Sequence, residues 1–255
     1  MRKLFTTLLI VGLFASAASA RNGVGTNPII GDPGSSFSVG VYDTDIDNAW
    51  SLLTQDNITW TQLTGDDKIL VHPAGNDSAA VTITGLKADS TWTMITATFG
   101  EGSSTAGAGD RLDAVTWYAI EQWWIQDEHS DVIDLEPDGS NPTSLSQIAA
   151  GELWQGPAQV FFGKTERGYI EYAQFGVFGT NRIDFEIRVY PDFKDVRDTG
   201  DGFYSIGPFP VDEGAGIVTV PINHYVGAHA VVQIWGNASA ADQTGFARIV
   251  GSRRK

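Results

Sequence analysis

The sequence contains no cysteine and only two methionines and four histidines in 255 residues. Without cysteine there is no disulfide framework, no thiolate site for zinc or an iron–sulfur cluster, and no thiol for lipid attachment. Basic residues are also scarce, with 16 Lys and Arg against 31 Asp and Glu, a formal net charge of −15 and a pI near 4.4. Such a chain repels phosphate instead of releasing its counterions, so nucleic acid is excluded as a partner class. No apolar run approaches the ~20 residues that span a bilayer, so no membrane span is expected. A serine nucleophile elbow, a phosphate-cradling glycine loop and a dinucleotide fingerprint are all missing. The 29 glycines follow no collagen period, and no heptad pattern supports a coiled coil. What is present is 42% hydrophobic and includes 8 Trp, enough apolar mass for a large core and too much for a disordered acidic tail.

Arg2 and Lys3 precede an apolar stretch over residues 4–14, and small residues follow, ending in Ala18, Ser19 and Ala20. A charged start, a short apolar middle and an A-x-A end make up a secretory signal peptide, expected over residues 1–20. Its removal leaves 255 − 20 = 235 residues and takes away two basic charges, so the mature chain carries −15 − 2 = −17. The expected location is outside the inner membrane: extracellular, or periplasmic or cell-surface. An exported chain without disulfides must draw its stability from its core, or from a bound ion.

Nearly every periodic segment alternates with period two and is bounded by Gly, Asp, Asn or Pro. Residues 183–190 are the clearest case, with Ile183, Phe185, Ile187 and Val189 apolar and Asp184, Glu186 and Arg188 charged. That pattern buries one face and wets the other. Similar alternation over residues 36–42, 80–84, 91–99, 159–162, 169–172, 216–220, 228–235 and 245–250 predicts an all-β fold. The expected architecture is an antiparallel β-sandwich or jelly roll of one domain or two packed β domains. A Gly/Ser/Ala-rich connector over residues 101–110 marks the candidate division between a β-sandwich region at 21–100 and a sandwich or jelly-roll region at 111–255. Residues 144–150 predict a helical turn, with Ser144 and Gln147 at capping-box spacing and Gly151 as its stop.

Ile83, Thr84, Gly85, Leu86, Lys87, Ala88, Asp89, Ser90, Thr91, Trp92 and Thr93 resemble the corner between strands E and F of fibronectin type III and immunoglobulin-like sandwiches. In that corner a Leu is followed six residues later by an aromatic, usually Tyr, whose polar tip bonds backbone. Trp92 takes the Tyr position here, and an indole donates a hydrogen bond but accepts none. The resemblance implies sandwich topology and no activity.

The densest chemical signal is residues 115–126. As a regular strand, one face carries Trp117, Ala119, Glu121 and Trp123, and the other carries Tyr118, Ile120, Gln122 and Trp124. One reading is a central strand buried on both faces. The other is a sugar-binding platform in which Tyr118 and Trp124 stack on pyranose rings about 20 Å apart, with Gln122 and Glu121 bonding hydroxyls. Glu121 on an otherwise apolar face needs a partner or a raised pKa. The segment resembles the nucleophile strand of jelly-roll xylanases, but Thr116 occupies the nucleophile position. Residues 132–136 resemble the E-x-D-x-E strand of laminarinase-like hydrolases, with Val132 in place of the first Glu. Both lack the essential carboxylate, which weighs against catalysis.

Asp134, Glu136 and Asp138 alternate ahead of Gly139, like the opening of a calcium loop. Leu145 stands where an EF-hand needs its bidentate Glu, so any calcium site here is of another kind. Asp43, Asp45 and Asp47 repeat the alternation. Three function classes follow. The first is a secreted, non-catalytic sandwich binding carbohydrate or another extracellular polymer, with calcium as a stabilising ion. The second is a self-assembling structural or adhesive subunit of a cell surface or filament, with residues 21–36 donated to a neighbour. The third is a glycoside-active enzyme pairing Glu121 with Asp134 or Glu136.

Overall fold

Strands that alternate apolar and polar residues need a partner sheet for each apolar face, and this chain supplies two such pairings. A computed structural model describes residues 36–55, 60–73, 79–99, 110–111, 115–127, 129–138, 143–154, 156–198 and 200–254. The expected signal peptide at 1–20 and residues 101–109 of the connector lie outside them. The fold is all-β, as expected, and its strands pair in antiparallel sheets.

Sheet 1 orders β1 (Ser36–Ile46), β16 (Gln243–Arg254), β11 (Arg167–Val177) and β14 (Ile217–Val226). Sheet 2 orders β10 (Gln159–Phe161), β15 (Val231–Ala238), β12 (Ile183–Tyr190) and β13 (Tyr204–Val211), with β2 (Ser51–Leu52) also on β15. Their inner faces close on one core that includes Phe37, Val39, Phe175, Phe185, Ile187, Ile234 and Ile249. Phe175 and Phe185 stack across it with ring centroids 4.8 Å apart.

A smaller sandwich is inserted between β2 and β10. Its sheet 3 orders β5 (Trp92–Phe99), β4 (Ala79–Lys87) and β7 (Trp117–Ile125). Sheet 4 orders β6 (Asp110–Arg111), β3 (Ile69–Pro73), β8 (Ile133–Pro137) and β9 (Ser146–Ile148). Val71, Val81, Ile83, Trp117, Trp123 and Leu135 fill the space between them. A third cluster, including Leu86, Ala119, Phe161, Tyr190 and Val231, cements the two sandwiches together. The pairing of β4 with β7 runs across the 101–110 stretch, and β1 pairs with β16, so the sheets do not divide at that connector.

Two local expectations are corrected. β4 and β5 form a hairpin within one sheet, with Leu86 opposite Trp92, whereas the fibronectin-type corner joins strands of different sheets. Residues 146–148 are strand β9, not a helical turn. Ser144 and Gln147 both donate to Asp134 Oδ1, at 2.8 and 2.7 Å, so the would-be capping side chains are spent across the sheet. The one helix among the described residues, α1 (Phe193–Asp198), begins just after Asp192, whose carboxylate accepts from the Lys194 N–H at 3.0 Å. No helix among the described residues is long and apolar enough to cross a membrane.

Candidate functional site

Strand β7 does not alternate as its sequence suggests. Gln122 stands opposite Thr84, but Ile120 stands opposite Gly85, so Glu121 is an extra residue. A second shift between Leu86 and Lys87 leaves Tyr118 extra. Such bulges re-aim side chains. Glu121 leaves the Trp117–Trp123 side and points with Gln122 toward the large sandwich. There its Oε1 accepts from the Phe161 N–H at 2.7 Å and from Arg253 Nη2 at 2.5 Å, and its Oε2 accepts from Trp92 Nε1 at 2.6 Å. Arg253 also faces Glu166 at 3.5 Å, and Glu166 Oε2 accepts from the Gly163 N–H at 3.0 Å. The Arg253 guanidinium carbon lies 4.6 Å from the Trp92 ring centroid. Glu121 and Arg253 are completely buried.

This arrangement answers what a carboxylate does in an apolar strand: it is neutralised and hydrogen-bonded at the seam between the sandwiches. It also corrects the sequence reading of the site. Glu121 is fully buried and faces no solvent, and Asp134 and Glu136 sit on β8 in a different sheet. Gln122 is equally buried; it donates to the Pro157 carbonyl and accepts from Trp154 Nε1 at 3.0 Å. Tyr118 packs edge-on against Phe193 with centroids 4.2 Å apart, and Trp124 packs against the large core. The Tyr118–Trp124 strand is therefore interior mortar, and its four expected ligand residues do not form one exposed platform.

The acidic positions are dispersed as well. Asp134 accepts from Ser144 and Gln147, and Glu136 is buried 3.6 Å from His72 Nδ1. Among the described residues Asp134, Glu136 and Asp138 do not converge; Asp45, Asp47 and Asp242 do, with carboxylate oxygens within 4.8 Å of one another. The hydrogen bond with Asp242, then desolvation and the charges of Asp242 and Asp47, hold the Asp45 carboxyl above the ordinary value of 3.8. Exposed acids cluster this way without an ion, and their spacing alone assigns none.

The exposed aromatic surface lies elsewhere, on the outer face of sheet 1. Across β1, β16, β11 and β14 the outward positions form four rows. Tyr42, Phe246, Gly176 and Ile217 make the first, and Gly40, Arg248, Gln174 and Thr219 the second. Ser38, Val250, Tyr172 and Pro221 make the third, and Ser36, Ser252, Tyr169 and Tyr225 the fourth. The face is about 14 Å wide, and its first and fourth rows are about 20 Å apart at ordinary strand spacings. Phe178 adds a ring 5.6 Å from Tyr42, and the Tyr225 ring lies 4.7 Å from that of Tyr169, tilted by 48°. Tyr225 is 73% exposed, Ile217 55% and Phe178 49%. Between the apolar rows, Gln174 Nε2 donates to Thr219 Oγ1 at 3.3 Å and Arg248 Nε to Ser38 Oγ at 2.7 Å. Sequence reasoning missed this face because its strands are far apart in the chain. The one available signal was alternation in each strand separately, with Tyr169 and Phe246 on the polar side.

No protein-family model matches the chain, and no curated protein does. Among solved structures, similarity is found to infectious bursal disease virus Gt strain, at 8% identity over 87% of this chain and 71% of that one, with a TM-score of 0.21. The E. coli protein ycfD is similar at 9% identity over 73% of this chain and 50% of its own, with a TM-score of 0.12. The VP2 subviral particle of infectious bursal disease virus is similar at 8% identity over 87% and 81%, with a TM-score of 0.11. Scores of that size assign neither fold nor function, so the architecture rests on the strand pairing above.

Proposed function

We propose that the chain is a secreted, non-catalytic β-sandwich protein that binds an extracellular carbohydrate polymer on the outer face of sheet 1. The observation that carries the reading is the set of outward Tyr, Phe and Ile side chains on that face, with Arg248, Gln174 and Thr219 in a polar row among them. Contiguous exposed apolar surface on a globular protein marks an interaction site. Tyr and Phe rings offer flat apolar surfaces to the C–H faces of sugars, and Gln174, Thr219 and Asn223 offer hydrogen bonds to hydroxyls between them. A flat sheet face suits an extended chain better than a small molecule, which takes a concave pocket. Glu121, the carboxylate expected to do acid–base work, is committed to Arg253, which supports binding over hydrolysis.

The test is affinity electrophoresis or calorimetry of the folded protein against a panel of soluble polysaccharides. Tyr172→Ala and Tyr225→Ala are each expected to weaken binding about tenfold, the scale of one lost aromatic contact. Trp124→Phe is expected to leave affinity unchanged. Failure of the wild-type protein to bind any polysaccharide would refute the reading.

A further inference from the structure

The charges on this face run against those of the whole chain. Arg167 and Arg254 stand directly opposite one another on β11 and β16, at outward positions just past the Tyr169 row, and both are exposed. Like charges placed opposite across a ladder destabilise a sheet. Among the described residues neither arginine has an ion-pair partner, and neither does Arg248. Arg248 has a prepared seat in the second row. Its Nε is pinned by Ser38 Oγ, and its stem lies over Gly40, where an added Cβ would come within 3.0 Å of Arg248 Cβ. Only the terminal nitrogens of the guanidinium fork are then left to meet a ligand.

Three arginines stand against one exposed acid in these rows, Glu171 at the β11 bulge, a local balance of 3 − 1 = +2 on a chain of −15. Asp212 and Glu213 lie in the loop leading to Ile217, at the opposite end of the face. Screening over about 8 Å at physiological salt lets the local charge, and not the distant acid, govern what docks there.

Resting on the reading of this face as a carbohydrate surface, we infer that its ligand is an acidic polysaccharide whose carboxylates pair with Arg248 and with the Arg167–Arg254 pair. The six residues from Arg248 to Arg254 place these anchors about 20 Å apart along the strand. That sparse spacing suits a sugar chain with carboxylates at intervals. It does not suit duplex DNA, whose charges recur about every 1.7 Å and call for a dense basic track. The aromatic rows hold the sugar rings, and the arginines select for the acid.

The experiment uses the full chain with polygalacturonate and alginate as uronate probes, a neutral β-glucan as control, heparin as a sulfated probe, and duplex DNA. Uronate binding is expected to exceed neutral-glucan binding at least tenfold and to weaken as salt rises. Arg248→Gln and the double change Arg167→Gln with Arg254→Gln should each reduce uronate affinity about tenfold. Circular-dichroism melts matching wild type show that these surface variants fold. Equal binding of neutral and uronate chains, arginine variants of undiminished affinity, or preference for heparin or DNA would overturn this inference while leaving any neutral-sugar binding intact. Absence of binding to every polysaccharide would overturn the parent reading as well.

Discussion

Arg253 holds two carboxylates in an interior that excludes isolated ions, and the N–H groups of Trp92, Phe161 and Gly163 carry the excess negative charge. Buried pairs of this kind are held by their completeness: removing one partner costs about 3–5 kcal/mol, because the other is left uncompensated. Glu121→Gln is expected to lose stability on that scale in urea unfolding, since the Trp92 and Phe161 donors would then compete for a single oxygen. A loss below about 1 kcal/mol, typical of a surface ion pair, would show that the cluster contributes little. The need for a partner was legible in the sequence, where a carboxylate interrupts an apolar stretch. The partner was not, because Arg253 stands 132 positions away and the bulge that turns Glu121 toward it leaves no compositional trace.

Strand β12 kept its alternation, with its inner positions all buried, but the charged face expected to be wet is not: Glu186 is buried 3.4 Å from Arg188. Strand β7 did not keep its alternation, because two extra residues reset its faces, so an unbroken period of two misassigned Tyr118, Glu121 and Gln122 together. Strand β13 escaped notice for a different reason: Gly207, Pro208 and Pro210 read as turn residues, yet they sit on an edge where a missing N–H costs no ladder bond. Pro221 does the same on edge strand β14. These prolines blunt both edges against added strands, which weakens the case for donated-strand assembly there. Gly85 meets the β7 bulge at very close range, where a Cβ would lie 2.2 Å from the Ala119 carbonyl oxygen. Gly85→Ala is therefore expected to splay β4 from β7 and destabilise by about 1–3 kcal/mol or more, read from denaturant midpoints. A midpoint unchanged from wild type would contradict the tight approach.

At the scale of the molecule, two sandwiches share a seam that is more than contact. Besides the apolar cluster, Gln159 Nε2 donates to the Glu121 carbonyl at 2.9 Å, and Gln233 Nε2 donates to Gln159 Oε1 at 3.1 Å, so buried amides stitch β7 to sheet 2. Opening the seam would strand these groups without water or partner. Thermal unfolding is expected to be one transition, with calorimetric and van't Hoff enthalpies equal; two resolved transitions would show that the sandwiches unfold independently. The all-β class and most strands could be read from local pattern, but the proposed binding face could not, because it assembles strands from residue 36 to residue 254. That assembly has a temporal consequence. The only described partner of β1 is β16, and Ser38 bonds Arg248 across 210 positions. At about 5–20 residues per second, a ribosome needs roughly 10–40 s to deliver the second strand after the first. Through that interval Phe37, Val39 and Val41 lack the strand they lie beside, so sheet 1 cannot close until nearly all of it has been made.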